Sequence, residues 1–552
     1  MDFSIIDYIV FSAYCFLVIG IGLWVSREKE GHVKDSKDYF LASKALPWWA
    51  IGSSLIAANI SAEQMIGMSG SGFAIGLGIS AYEWIAAITL IIVAKWFLPI
   101  FLKRGIYTMP QFLEQRFDVR VKSTMAVFWL LVFVFVNLTS ILYLGALSIK
   151  TIMGLDFIWG VVILISFSAI YSLYGGLKAV AWTDVIQVIF LVGGGLMTTY
   201  LALDYVSGGE GMFAGLQILI ATVPQKFDMV LEPRAMMIPT GKVDGVMQYK
   251  DAFDDLPGIG MLLGGIWIAN LSYWGCNQYI IQRALAAKSV KEAQRGLAFA
   301  GYLKILLPLI VVIPGIVAFQ LSQGANPVFN TDEILYNAEN NSYVYDNTYP
   351  WLLGKFVGSG LKGLAFAALV AAIVSSLSSM INSIATIFTM DIYNPYFDKT
   401  ASEGKLVNVG RLASATSLLV AAFISPLLGT LGQAYQFIQE FTGLISPGIT
   451  AIFLFGLFWK RATANSALTA TVLSIPLSFA FKFLLPTVPF LNRMGIVLGL
   501  LCLIIIVMSL VWPNKKEDEY KNEVGMFHTG AVFNMLAIGI FVIVAFLYAM
   551  FW

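Results

Sequence analysis

Long runs of apolar residues recur from one end of this 552-residue chain to the other. Many reach 18 residues with few or no charges, the length a helix needs to cross a bilayer. One soluble core stops growing near about 250–300 residues, so a chain that is 58% hydrophobic cannot house this material in a single water-soluble domain. Period-two alternation is absent, and backbone groups in lipid must find partners within their own segment, so the runs are expected to be helices. The chain reads as an all-α polytopic membrane protein. About fourteen spans are expected, near 5–27, 48–73, 77–102, 121–152, 157–175, 180–205, 258–281, 297–322, 359–394, 408–429, 433–459, 464–484, 494–513 and 530–551. Met1-Asp2-Phe3-Ser4 brings no basic region and no small-residue cleavage site, so the first run is expected to be a retained helix.

Only 12% of the residues are charged, and their placement carries the topology. With the N-terminus outside, roughly two thirds of the 34 basic residues fall in loops on one side, Lys103, Arg104, Arg283, Lys288, Lys460 and Arg461 among them. That side is therefore expected to be cytoplasmic, with both termini outside a cell membrane. Two long polar stretches, 206–257 and 323–358, then lie outside; residues 212–220 suit a short helix on the membrane surface or a structural lid. A net charge of +1 suggests no nucleic-acid partner. Cys15, Cys276 and Cys502 lie in apolar segments without metal or disulfide spacing. His32 and His528 are the only histidines, and Gly241-Lys242 is followed by Val243, so no phosphate-binding loop is present. Nothing here supports an enzyme or an ATP-driven pump.

Polar groups inside spans are expensive and usually face a cavity or a partner. The second span carries Asn59, Ser61, Glu63 and Gln64 followed by Gly67 and Gly70. This pattern predicts a helix interrupted near its middle, whose freed carbonyls can hold a hard cation. The same small residues also suit a helix-packing face. In the seventh span Asn270, Tyr273, Trp274, Asn277 and Gln278 recur at offsets that place all five on one helical face. Rings beside amides suit a sugar, and also a plain interfacial belt. In the ninth, Ala372, Ser375, Ser376, Ser379 and Ser383 share a face that suits either close packing or a Na+ shell completed by the second span. Tyr82, Glu83, Asp184, Lys304, Tyr435, Gln439 and Glu440 complete the set. Lys304 and Glu83 are expected to pair, because a lone buried lysine tends to lose its charge. Lys95 and Lys482, nearer span ends, are expected to snorkel to the interface.

Spans two to six and seven to eleven form two sets of five, each opening with a polar, interruptible helix. Five is odd, so the second set is inverted relative to the first, with a midplane site between the interrupted helices. The expected units are an extra helix and loop (1–47), a first repeat (48–205), an outer loop (206–257), a second repeat (258–459) and three C-terminal helices (460–552).

These residues carry a resemblance. Residues 51–72, the stretch Tyr171-Ser172-Leu173-Tyr174-Gly175-Gly176-Leu177-Lys178-Ala179 with Trp182-Thr183-Asp184, and residues 270–289 and 367–393 resemble the sodium/solute symporter family. Ser61-Ala62-Glu63-Gln64 and Asn277-Gln278-Tyr279-Ile280-Ile281-Gln282-Arg283 are similar to its sugar branch, the bacterial sodium/galactose and animal sodium/glucose cotransporters. The resemblance implies a five-plus-five, LeuT-like core. It implies that Gln64, Glu83, Asn270, Lys304 and Gln439 hydrogen-bond a sugar, on which Tyr273 stacks while closing the inward path beside Trp274. Met68, Tyr82 and Tyr435 would close the outward path. Carbonyls of Ala57, Ile60 and Ala372 and the hydroxyls of Ser375 and Ser376 would hold Na+, with Asp184 on its exit route. Ala86 stands where close galactose relatives carry a sugar-contacting serine, and Tyr435 replaces a gate phenylalanine, so the resemblance leaves the sugar's identity open. Asp184 and Ser379 also fit a second ion site.

The expected function is Na+-coupled import of a hexose, galactose or glucose, by alternating access. The rivals are a symporter for another solute (myo-inositol, sialic acid or proline) and a Na+-dependent sensor or channel. Channels favour repeated pore rings, and the sequence shows none.

Overall fold

The computed structural model describes residues 3–25, 36–61, 63–324, 327–338, 340–430, 434–513 and 525–552; the side chains of 36–38, 43, 171–175, 429–430 and 434–437 are not described. Helices dominate. Among the described residues eleven helices, and not fourteen, are long and apolar enough to cross a membrane unbroken. The difference lies in three expected spans, each interrupted for a local reason.

The span expected at 48–73 runs as Trp48–Asn59 and then, after a break, as the π-turn Glu63–Gly67 and Met68–Ala74. Ile60 ends the first half with ψ 92°, which swings its carbonyl out of the helical ladder. The Ser61 N–H turns to Gln64 Oε1 (3.4 Å), where a continuing helix would offer it the Ala57 carbonyl. Ala62 itself lies outside the described residues. The span at 157–175 continues into the next one as Phe157–Val206, bent at Gly176 with φ 64°. A Cβ there would lie 2.5 Å from the Tyr39 carbonyl oxygen, so only glycine suits both the backbone and the contact. The third, 433–459, is divided into Ala434–Gly443 and Ser446–Phe458.

Close packing holds the outer half of the first broken helix. A Cβ on Gly315 would come within 2.1 Å of the Ser69 carbonyl oxygen, and one on Gly72 within 2.6 Å of the Val312 carbonyl oxygen. Small residues thus let this half-helix lie against Val290–Leu321. Both sequence readings of the segment apply, to different residues: the glycines pack, while the polar groups turn inward.

An all-helical chain was expected, but the two long polar stretches meet in a four-stranded sheet. Its order is Val246–Asp251, Met237–Val243, Ser342–Tyr343, Tyr336–Asn337, antiparallel throughout. The expected short helix is present as Met212–Thr222.

Beneath this layer Lys226 is buried, and its Nζ donates to the Ala74 carbonyl at the end of the broken helix (2.6 Å) and sits 4.1 Å from the Phe319 ring centre. Burial pulls its pKa from 10.5 down to about 7. Between those values the unfolded chain binds more protons than the folded one, so this lysine makes stability rise with pH across that window. The thermal midpoint of the purified protein is expected to climb from about pH 7 to 10, and Lys226→Met should flatten the climb. Equal slopes for the two proteins would count against this burial effect.

Candidate functional site

Gln64 and Glu83 from the first set of helices, and Asn270, Tyr273, Lys304 and Gln439 from the second, line one cavity of about 100 Å³. The break after Asn59 delivers Gln64. Its Oε1 accepts from the Ser61 hydroxyl (3.2 Å), which fixes the amide near the mouth of the interruption. Lys304 and Glu83 form the expected ion pair, both almost fully buried, and Nζ sits 4.9 Å from the centre of the Trp274 ring. An ammonium over an indole face gains further from the ring quadrupole.

The expected five-residue face is not one face. The helix runs through the π-turn Leu271–Cys276 and breaks at Asn277, which adopts extended geometry (φ −81°, ψ 125°). The Asn277 side chain caps the next helix, Gln278–Leu285, by accepting from the Tyr279 N–H (3.3 Å). Asn270, Tyr273, Trp274 and Asn277 stay on the cavity, whereas Gln278 is turned away. Its Oε1 accepts from the Met109 N–H (2.8 Å) and its Nε2 donates to the Tyr107 carbonyl (3.2 Å). The wide π-turn shifts the helical phase, and offsets counted at 3.6 residues per turn miss it.

Tyr273 borders the cavity. Its hydroxyl accepts from Asn59 Nδ2 (2.9 Å) and meets the Tyr279 hydroxyl. Tyr82 lines the cavity; Met68 is fully buried and does not line it, and the side chain of Tyr435 lies outside the described residues. Among the described residues, four polar atoms of the lining side chains have no hydrogen-bond partner: Asn59 Oδ1, Glu63 Oε1, Asn137 Oδ1 and Trp129 Nε1. Buried polar atoms are rarely left so, and a lining of three acceptors and a donor matches a ligand rich in hydroxyls. Trp129 and Asn137 were missed from the sequence because their span, 121–152, carries no carboxylate or glycine-rich break to mark it as polar.

The first half-helix also meets the serine face of Leu361–Ile387. The Ser376 hydroxyl donates to the Ala58 carbonyl (2.8 Å). Asp184 receives the Ser375 hydroxyl on Oδ1 and the Ser54 hydroxyl on Oδ2, both at 2.5 Å. With their protons committed to these acceptors, the serine oxygens keep lone pairs for a hard cation. Ala57 and Ile60, whose carbonyls leave the ladder, lie beside Ala58, and Ala372 precedes Ser375 by one turn. These candidate ligands would offer oxygen only, which suits a hard cation.

Arg283 is a correction. Counted among the loop charges, it is fully buried, 3.6 Å from Asp184 Oδ2. It also donates to the Ser54 carbonyl (3.0 Å) and to the Ser379 hydroxyl. A guanidinium therefore occupies the space between Asp184 and Ser379 where a second ion had been considered. Ser383 likewise donates to Gln282 Oε1 (3.0 Å). Lys482 does not merely snorkel; its Nζ pairs with Glu440 at 2.9 Å.

Against known proteins, the sequence profile of the sodium:solute symporter family matches residues 39–474. The sodium/glucose cotransporter of Vibrio parahaemolyticus is 50% identical over 552 residues, 100% of this chain and 98% of that protein. The mouse (Mus musculus) sodium/myo-inositol cotransporter 2 is 33% identical over 474 residues, 85% of this chain and 68% of that protein. Among solved structures, an outward-open, substrate-bound Na+-coupled sialic acid symporter superposes with a TM-score of 0.77 at 23% identity, over 93% of this chain and 100% of that one. That superposition establishes the LeuT-like fold. Two helices broken at Ile60 and Asn277, a serine face against the first of them, and these matches lead to one conclusion: the chain belongs to the sodium:solute symporter family.

Proposed function

We propose that this protein imports a hexose, galactose or glucose, by symport with Na+ through alternating access, as a transporter and not an enzyme. One observation carries the reading. Gln64, Glu83, Asn270, Tyr273, Lys304 and Gln439, scattered over 376 positions of sequence (64 to 439), border a single buried cavity. The broken helix that supplies Gln64 also supplies the Ala58 carbonyl to the serine face. The named activity of the Vibrio parahaemolyticus relative supports the same substrate class.

In this reading Na+ lies between residues 57–60 and Ser375–Ser376 and favours the form in which the sugar groups are assembled. The sugar stacks on Tyr273 and closes the outward path under Tyr82, Met68 and Tyr435. Loss of Na+ past Asp184 then frees the Asn59–Tyr273 contact and releases the sugar. Each ligand must bind one state better than the other for coupling to exist. A neutral sugar moves no charge, so each Na+ carries about 2.3 kcal/mol of driving force per 100 mV. In the same reading both termini lie outside, supported by the gathering of basic residues in the loops of the opposite side, with repeats at 48–205 and 258–459 between the extra helix and loop of 1–47, the outer loop of 206–257 and the three helices of 460–552.

Myo-inositol is the second reading, favoured by the named substrate of the mouse relative. The test is uptake of labelled galactose, glucose and myo-inositol into proteoliposomes under an imposed Na+ gradient. Hexose uptake should stop when K+ replaces Na+. Gln64→Ala removes a hydrogen-bonding partner worth about 1–3 kcal/mol and should weaken sugar affinity roughly tenfold to hundredfold. Uptake indifferent to Na+, or untouched by Gln64→Ala, would overturn the assignment.

A further inference from the structure

The Gln187 side chain is wholly buried in the helix Phe157–Val206, and neither its Oε1 nor its Nε2 has a hydrogen-bond partner among the described residues. An amide buried without partners is costly, and folded proteins rarely keep one. This one stands a single turn past Asp184 and does not border the sugar cavity.

Contacts on either side of it fix its level. Against the serine helix, Asp184 meets the Ser375 hydroxyl (2.5 Å), and a Cβ on Gly194 would lie 3.5 Å from the Ala368 Cβ. The two helices therefore run antiparallel. Gln187 and Gly194 are seven residues apart, which puts them within about 20° on one helical face, so both face the serine helix. One turn on from the Asp184–Ser375 contact, Gln187 comes level with Ala372. Against the first half-helix, the Trp182 and Trp49 ring centres are 5.4 Å apart, and Asp184 receives the Ser54 hydroxyl (2.5 Å). These two helices run in the same direction, so one turn on Gln187 comes level with Ala57.

Ala57 and Ala372 are fully buried and end at Cβ, which leaves room for a longer side chain between their helices. Both belong to the set whose carbonyls would hold Na+. The Ala57 carbonyl has also lost its helical donor, because the Ser61 N–H turns to Gln64 Oε1. The unpartnered amide thus stands at the level of a carbonyl released from the helical ladder.

We propose that Gln187 is a further ligand of the transported Na+, its Oε1 turned to the cation beside the Ala57 and Ala372 carbonyls. The inference rests on the reading that places Na+ between residues 57–60 and Ser375–Ser376. A glutamine carbonyl is a hard oxygen donor, as backbone carbonyls are. It brings no charge, which suits an ion that must leave again. With Oε1 on the cation, Nε2 can donate to the second lone pair of a neighbouring carbonyl, and both orphaned atoms are satisfied. Bound Na+ then ties a third element, the helix Phe157–Val206, to the first half-helix and the serine helix.

The test reads Na+ binding by the purified full-length protein without sugar, as the rise of its thermal midpoint when NaCl replaces choline chloride at constant ionic strength. Gln187→Met keeps the length of the side chain and removes its oxygen. It should need roughly tenfold to hundredfold more Na+ for the same rise. In choline alone it should be at least as stable as wild type, because an unpartnered buried amide has gone. A purely structural amide predicts the reverse, a lower midpoint in choline with wild-type Na+ dependence, and that result would overturn the proposal. Gln187→Glu keeps an oxygen at the same reach and should bind Na+ at least as tightly as wild type; weaker binding counts against the proposal. If the methionine variant does not fold, Gln187→Asn, which draws the oxygen back by one methylene, decides, and unchanged Na+ dependence there overturns it. Ser376→Ala separates this inference from the reading beneath it. Weakened Na+ binding in Ser376→Ala but not in Gln187→Met removes Gln187 alone, whereas wild-type binding in Ser376→Ala removes the Na+ placement and the inference with it.

Discussion

Replacing Lys304 by methionine while leaving Glu83 in place is expected to cost about 3–5 kcal/mol of stability and to abolish sugar uptake. The physical reason is asymmetric. Both side chains are almost entirely shielded, and each is tolerable there only because the other neutralises it. Removing one partner leaves a buried charge with nothing to balance it. Removing both leaves an apolar–amide contact of similar volume. Lys304→Met combined with Glu83→Gln should therefore recover most of the thermal midpoint lost by Lys304→Met alone. It should not recover transport, because the cavity has then lost an ammonium donor and a carboxylate acceptor at once. Midpoints of the three purified variants, read beside uptake, separate the two roles. A Lys304→Met protein as stable as wild type would show that Glu83 finds another neutralising route.

Asp184→Ala is expected to be as damaging by the same logic, with Arg283 as the stranded charge. It should also strike Na+ coupling. Asp184 takes the protons of Ser54 and Ser375 and so joins the first broken helix to the serine helix. Without it, the Ser375 hydroxyl is free to rotate its proton toward the cation position, which opposes binding. Hydrogen bonds to charged groups contribute about 1.5–3 kcal/mol, so loss of one should raise the Na+ concentration for half-maximal uptake more than about tenfold. Asp184→Asn keeps the shape and should fold better while showing the same direction of change. A folded Asp184→Asn protein with wild-type Na+ dependence would confine Asp184 to a structural part.

Most of the fold was legible because the bilayer imposes simple rules. Lipid demands long apolar helices, and polar groups at depth are costly enough to stand out. Gln64, Glu83, Asn270, Lys304 and Gln439 were visible on that ground alone. What was not legible depends on geometry that sequence spacing does not encode. The π-turn before Asn277 rotates Gln278 off the expected face. Arg283 looked like a loop charge because topology counting treats every charge as solvent-facing. Its partner Asp184 lies 99 positions earlier in the chain (184 to 283), so nothing local announces the pair. The sheet escaped notice because two of its strands are two residues long and only one of them, Ser342–Tyr343, reaches the distant strand Met237–Val243.

That sheet has a mechanical consequence. Its two halves come from the loop after the first set of helices and from the loop inside the second. They are joined at one ladder pair, Gly241 with Ser342, by the Lys242 N–H donating to the Asn341 carbonyl (3.0 Å), by the Tyr345 hydroxyl donating to the Pro239 carbonyl (2.6 Å) and by the Lys242–Asp332 ion pair (3.4 Å). Each hydrogen bond contributes only about 0.5–1.5 kcal/mol net and an exposed ion pair about 0–1 kcal/mol, so this seam is a row of press-studs and not a weld. A full-length ladder would make the two loops a single plate. Separate weak fastenings can open one at a time and close again in the same registration.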